Sequence, residues 1–264
     1  MVLERCHAMR VAFTLEILKF VPMRLAIVSD IHANLEALQT ALEIIKNQRI
    51  DQIICLGDVV GYGANPNECL TLIQREAAVT LLGNHDQACI DASAMSSFNP
   101  FARVAAQWTF NQLREDNKDY LRNLPYTWES EGLFFVHASP YEPEEWHYII
   151  TDADARDNFD HFSQKICFVG HSHVAEIFSA PMRPSGPVEV LEDAALEKGR
   201  KYIINVGSVG QPRDGDWRSG FGIFNTKDWS YEQIRAEYDV QQASQKILAA
   251  GLPRMLAERI LTGK

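Results

Sequence analysis

The chain has 264 residues, 46% of them apolar, enough to bury one sizeable core, and its formal charge of −10 argues against a protein built mainly to grip nucleic-acid backbones through clustered Lys and Arg. Its five cysteines are odd in number and scattered, with no Cys-x-x-Cys pair, which indicates neither a disulfide framework nor a zinc knuckle and points to a reducing cytoplasm. No segment after residue 22 approaches the apolar length that spans a bilayer.

Residues 1–22 hold early basic residues and an apolar stretch from Val11 to Val21 that Glu16 and Lys19 interrupt, with no small-residue cleavage site after it. They are expected to be an extension outside the core, and one domain is expected over residues 23–264. The apolar run 25–28 leads to Asp30 and His32. Residues 34–46 put Leu35, Leu38, Leu42 and Ile45 on one helical face, and a strand over 51–56 follows, so the chain opens as a βαβ unit. That second strand delivers Gly57-Asp58-Val59-Val60-Gly61. Pro66 suits the first turn of a short helix over 66–75, and a strand over 79–82 leads to Asn84 and His85. Residues 97–124 are mostly polar, with Phe101, Val104, Ala105, Trp108 and Leu113 at helical intervals, and predict a helical insertion packed on the core.

The second half changes character. A strand over 133–136 ends at His137, and one over 166–169 ends at His171 and His173. Short runs at 176–179, 188–191, 202–206, 220–225 and 231–238 then crowd together and predict a more antiparallel sheet. Two sheets stacked face to face with helices outside are expected. A helix over 240–250, Gly251, and a second helix from Pro253 close the chain.

Five apolar strands therefore end in polar side chains, and in α/β sheets such ends converge on a ligand. Asp30, His32, Asp58, Asn84, His137, His171 and His173 offer two carboxylates, one amide oxygen and four imidazoles, a mixed set that suits borderline transition metals. Seven side chains are too many for one ion. If Asp58 bridges, one ion takes Asp30, His32, Asp58 and His173, and the other takes Asp58, Asn84, His137 and His171. Two divalent ions, two aspartates and a bridging hydroxide leave roughly +1, which favours an anion. Phosphate esters follow as the substrate class, attacked in line by the bridging hydroxide.

The series Asp30-x-His32, Gly57-Asp58-x-x-Gly61, Gly83-Asn84-His85-Asp86, His137 and Gly170-His171-x-His173 resembles the calcineurin-like metallophosphoesterase superfamily, in particular its small bacterial and archaeal phosphodiesterase branch. The likeness extends to Gly61-Tyr62-Gly63, to the segment from Phe98-Asn99-Pro100 to Trp108, and to the stretch from Asn205 to Asp216, so it covers about Met23 to the C-terminus. It implies a four-layer α/β/β/α sandwich, two divalent ions (manganese first, with iron, nickel, zinc or cobalt as alternatives) and phosphoester hydrolysis. Ala33 and Ala138 stand where many members carry glycine. The family assigns His85 as general acid, and its place next to Asn84 agrees; Asp86 is expected to hold the His85 ring in orientation. Arg213 is a candidate phosphate clamp, with an ion pair to Asp214 or Asp216 as the competing reading.

The leading expectation is a cytoplasmic hydrolase of a phosphodiester or small phosphomonoester, with nucleic acid and membranes disfavoured and the oligomeric state open. A protein or dinucleoside-polyphosphate phosphatase is the alternative, and a non-catalytic scaffold the third reading, disfavoured because no ligand is lost.

Overall fold

The computed structural model describes residues 22–182, 186–191 and 196–264; the expected extension over 1–22 thus falls, except for Pro22, outside the described residues. Strands β1 (Arg24–Val28), β2 (Gln52–Cys55) and β3 (Val79–Thr80) run parallel, joined by α1 (Leu35–Lys46) and α2 (Pro66–Glu76), as the βαβ pattern predicts. Asn34 caps α1 by accepting from the Ala37 amide at 3.2 Å, and Pro66 sits in the first turn of α2.

Helix α3 (Asn84–Ala88) and a 3₁₀ turn at Ala92–Ser97 precede the predicted helical insertion over 97–124, which divides into α4 (Pro100–Gln112) and α5 (Glu115–Arg122). Strand β4 (Thr127–Ser130), which the sequence pattern does not announce, pairs antiparallel with β5 (Leu133–Val136) through a two-residue turn. Glu131 and Gly132 both have positive φ there, at 52° and 75°. After β5 come α6 (Asp152–Asn158), β6 (Ile166–Val169), β7 (Glu176–Pro181), β8 (Glu189–Leu191), β9 (Arg200–Asn205), β10 (Ser219–Asn225) and β11 (Ser230–Ala236). The chain ends in α7 (Val240–Ala249) and α8 (Arg254–Thr262).

The strands make two mixed sheets, ordered β11-β10-β1-β2-β3 and β4-β5-β6-β9-β7-β8. The late strands do not form one antiparallel sheet: β10 crosses back to pair with β1, while β5, β6 and β9 are parallel to one another. Period-two alternation explains the layers. Leu25 and Ile27 of β1, Ile54 of β2, Phe135 of β5, Phe168 of β6 and Ile204 of β9 fill the space between the sheets. Ala26, Val28, Ile53 and Cys55 point the other way, onto α1 and α2, and Phe134, Val136, Cys167 and Val169 face Ala155 of α6. This is the four-layer α/β/β/α sandwich. Among the described residues, no helix is long and apolar enough to cross a membrane.

Candidate metal centre

The carboxyl ends of β1, β2, β5 and β6 bring six of the seven expected residues together, and the seventh, Asn84, opens α3 after β3. The ligand atoms of Asp30, His32, Asp58 and His173 lie within 4.8 Å of one another, as do those of Asp58, His137 and His171. Asp58 is common to both groups, as a bridging position requires. Its Oδ2 lies 3.6 Å from His32 Nε2 and 3.4 Å from His137 Nε2, while Asp30 Oδ1 is 3.2 Å from His173 Nε2.

Each side chain is aimed by its other polar atom. Nδ1–H of His32 donates to the Val60 carbonyl at 3.1 Å, that of His137 to Leu56 at 3.2 Å and that of His173 to Gln211 at 2.6 Å. The Nε2 atoms of all three are thereby left facing the carboxylates, the orientation that metal-binding imidazoles use. Asp30 Oδ2 accepts from the His171 amide at 2.9 Å and Asp58 Oδ1 from the His85 amide at 2.8 Å. What remains is unpaired: Asp30 Oδ1, Asp58 Oδ2, Asn84 Oδ1, His137 Nε2 and His171 Nε2 are buried without a hydrogen-bond partner. A buried polar atom left alone costs roughly 1–3 kcal/mol, and four of these five sit on the two groups that share Asp58, the pattern of a cation site. The residues present fit two such ions.

The backbone is bent to achieve this. Asp30, His32, Ala33, Asp58, His171 and His173 all have φ between 50° and 64°, a left-handed conformation that costs a non-glycine residue about 1–2 kcal/mol. Cross-strand bonds hold it in place: the amides of His32 and Ala33 donate to the carbonyls of Asp58 and Val59, both at 2.9 Å. The left-handed turn thus survives with alanine at position 33. Gly83 is required for another reason, since a Cβ there would stand 2.1 Å from Asp58 Oδ1.

Burial and charge act against each other inside the cluster. Burial pushes the Asp30 and Asp58 carboxyls up, but the imidazoles of His173 and His137 hold them below the usual range. His137 is lowered by burial, yet the Asp58 carboxylate carries it up to about 9. His171 falls to about 3, through burial and then the charge of His137.

Comparison with known proteins agrees with this geometry. The calcineurin-like phosphoesterase superfamily domain matches residues 23–228. The chain belongs to that superfamily. An uncharacterized protein of Methanocaldococcus jannaschii is 40% identical over 245 residues, covering 91% of this chain and 98% of the relative. A metallophosphoesterase of Sphaerobacter thermophilus, known as a crystal structure, superposes with a TM-score of 0.80 at 38% identity, over 92% of this chain and all of that one. A symmetrical bis(5′-nucleosyl)-tetraphosphatase of Actinobacillus pleuropneumoniae is 30% identical over 191 residues, 68% of this chain and 65% of that protein. This calcineurin-like phosphoesterase is accordingly a metal-dependent phosphoric ester hydrolase.

Around the ligand cluster of the phosphoesterase, His85 is seated among aromatic rings. Its ring packs on Tyr62 at 4.3 Å and Phe98 at 4.5 Å and meets His32 edge-on at 5.0 Å, and its Nδ1 is buried without a partner. Burial, with the charge of Arg213 adding to it and that of Asp58 opposing, brings the ring down to about 4. The orienting role expected of Asp86 is not what the structure shows. Its Oδ1 accepts from the Val60 amide at 3.0 Å and its Oδ2 from the Gly83 amide at 3.2 Å, so it ties the Asp58 loop to α3 and leaves the His85 ring to the aromatics. Burial and the neighbouring Asp58 charge raise Asp86 to about 7.

Arg213 is not paired with either acid of its own loop, because Asp214 binds Arg235 and Asp216 binds Arg218. It reaches inward instead, with Nη2 donating to Gln211 Oε1 at 2.9 Å and its guanidinium over the Tyr62 ring. Sequence reasoning missed Trp146 and Tyr148. Tyr148 is 49% exposed yet stacks on His171 at 4.1 Å, and Trp146 approaches His137 at 5.8 Å. Both line a cleft of about 470 Å³ together with Asn84, Gln87 and Phe98. The only signal for them in the sequence is a run of aromatics without helical or strand periodicity at 141–148.

Proposed function

We propose that this protein hydrolyses a phosphodiester or small phosphomonoester, with Asp30, His32, Asp58 and His173 holding one divalent ion, Asp58, Asn84, His137 and His171 the other, and manganese as the first metal to test. The observation that carries this reading is the set of buried, unpartnered ligand atoms on two groups that share Asp58. Ions so held would supply the positive charge that polarises phosphoryl oxygens and makes hydroxide available near neutral pH.

The protein's own residues do the rest. The three backbone carbonyls of Leu56, Val60 and Gln211 fix the ring orientations of His137, His32 and His173 before any substrate arrives. His85, beside Asn84, stands where it can give a proton to the leaving oxygen. With its pKa at about 4 the ring is neutral in the free protein near pH 7, so the negative charge of the substrate has to hold that proton in place. Arg213 adds a fixed cation on the same side.

A second reading, hydrolysis of a dinucleoside polyphosphate, is supported by the name of the 30% identical Actinobacillus relative. The first test is common to both. Metal-loaded protein should hydrolyse bis(p-nitrophenyl) phosphate with a divalent transition metal and stop in chelator; no hydrolysis in any of several metals, by folded protein with both positions filled, would overturn the hydrolase mechanism.

A further inference from the structure

The strap over 139–151, which runs from His137 to α6, is pinned on both sides of Tyr148. On one side Trp146, in the left-handed region at φ 58°, donates its indole N–H to Gln87 Oε1 of α3 at 3.1 Å. On the other, Ile149 is buried in the cluster with Phe134, Val136 and Ala155. Tyr148 is thereby held over the candidate centre although 49% of it is exposed. Its ring lies on His171, with centroids 4.1 Å apart and planes 23° from parallel, and Trp146 meets His137 edge-on at 5.8 Å. Both of these histidines stand in the group of Asp58, His137 and His171. Among the described residues, neither strap ring stacks on His32 or His173 of the other group.

The four imidazoles are not held alike. A backbone carbonyl at 2.6–3.2 Å fixes Nδ1 of His32, His137 and His173. His171 has no such carbonyl among the described residues, and its Nε2 is buried without a partner. Its backbone is tied by the amide bond to Asp30 at 2.9 Å, so the freedom that remains is rotation about the side-chain bonds. A metal-binding imidazole needs an outer partner that stops this rotation. The face of Tyr148 closes the space into which the ring would turn, and an offset stack of two flat rings is itself attractive.

We propose that Tyr148 is the positioning residue of His171, fixing by stacking the ring that no carbonyl fixes. The ion of Asp58, Asn84, His137 and His171 then depends on the strap, and the ion of Asp30, His32, Asp58 and His173 does not. This rests on the two-ion reading of the centre and goes beyond it by assigning a residue outside both ligand groups to one ion alone.

Calorimetric titration of the metal-free full chain with manganese(II) reads the two positions separately. Tyr148→Ala should weaken one position roughly 10-fold, the lower end of what an orienting partner of a ligand is worth, and leave the other unchanged. Tyr148→Phe, which keeps the flat ring, should bind both ions as the wild type does, whereas Tyr148→Leu, which keeps apolar bulk without a flat face, should behave like Tyr148→Ala. The turnover lost in Tyr148→Ala should return when manganese is raised about as much. Equal weakening of both positions, unchanged binding at both, or full rescue by Tyr148→Leu would each overturn the proposal. Proton NMR of the metal-free chain needs no ion: the Hε1 signal of His171 should carry a ring-current shift in the wild type and Tyr148→Phe and lose it in Tyr148→Ala. A wild type that binds fewer than two ions would overturn the two-ion reading, while an Hε1 signal indifferent to Tyr148→Ala would overturn the role of Tyr148 by itself.

Discussion

His85 shows how much a side chain's role depends on what surrounds it. Its backbone amide, not its ring, contacts Asp58, and the ring is set by Tyr62 and Phe98. His85→Ala therefore keeps the amide bond to the bridging carboxylate and should keep both metals. What it removes is a proton donor, worth typically ~10²–10⁴-fold when the leaving group needs the proton. The loss should be far larger on an alkyl ester than on a p-nitrophenyl ester, whose phenolate departs unaided. Rates on both esters, taken with metal content in the one variant, check this: equal losses would remove the acid role, and lost metal would make His85 part of the cation site's framework. Asp86 is the instructive contrast. Its position next to His85 suggested a partner for the ring, but adjacent residues on a short helix point in different directions, and the carboxylate turns back to the amides of Val60 and Gly83.

At the scale of elements, the centre is made of strand ends whose loops touch. Gly170, between β6 and His171, is one of the tight contacts: a Cβ would lie 2.0 Å from Ser29 Oγ and 2.5 Å from Asp30 Oδ2. Gly170→Ala should push the β1 and β6 loops apart, break the His171 amide bond to Asp30 and lower metal occupancy, while the sandwich core stays folded. Elemental analysis alongside far-UV circular dichroism checks this; full occupancy with normal turnover would show that the loops can yield. Sequence patterns reached this far because strand alternation and strand-end ligands are local signals, so Asp30, His32, Asp58 and the two histidines after β6 could be read directly. The unread parts lack such a signal. Strand β4 hangs on a Glu131-Gly132 turn, a weaker hairpin cue than Asn-Gly, and α6, Asp-Ala-Asp-Ala-Arg-Asp-Asn, has no apolar period and is held by Thr151 and Asp154 capping each other. Trp146 and Tyr148 reach the centre through tertiary packing alone.

For the whole molecule, the centre is a seam. Asp30, His32, Asp58 and Asn84 follow strands of the five-stranded sheet, whereas His137, His171 and His173 follow strands of the six-stranded one. Apolar contacts between the sheets hold the interior of the sandwich, but at this edge the layers face each other with buried carboxylates and imidazoles grouped around Asp58. Ions bound there would act as a clasp between the sheets as well as the reactive part of the centre. Binding to the folded state alone stabilises it by RT ln(1 + [L]/Kd), about 2.7 kcal/mol at a hundredfold excess over Kd. For a domain of this size each kcal/mol moves Tm by about 2–4 °C, so chelation should lower the melting temperature by roughly 5–10 °C. Asp58→Asn, which weakens both groups at once, should start lower and respond much less to chelator than the wild type. A wild-type melting curve indifferent to both added metal and chelator would mean that the two sheets meet at this edge without any ionic clasp.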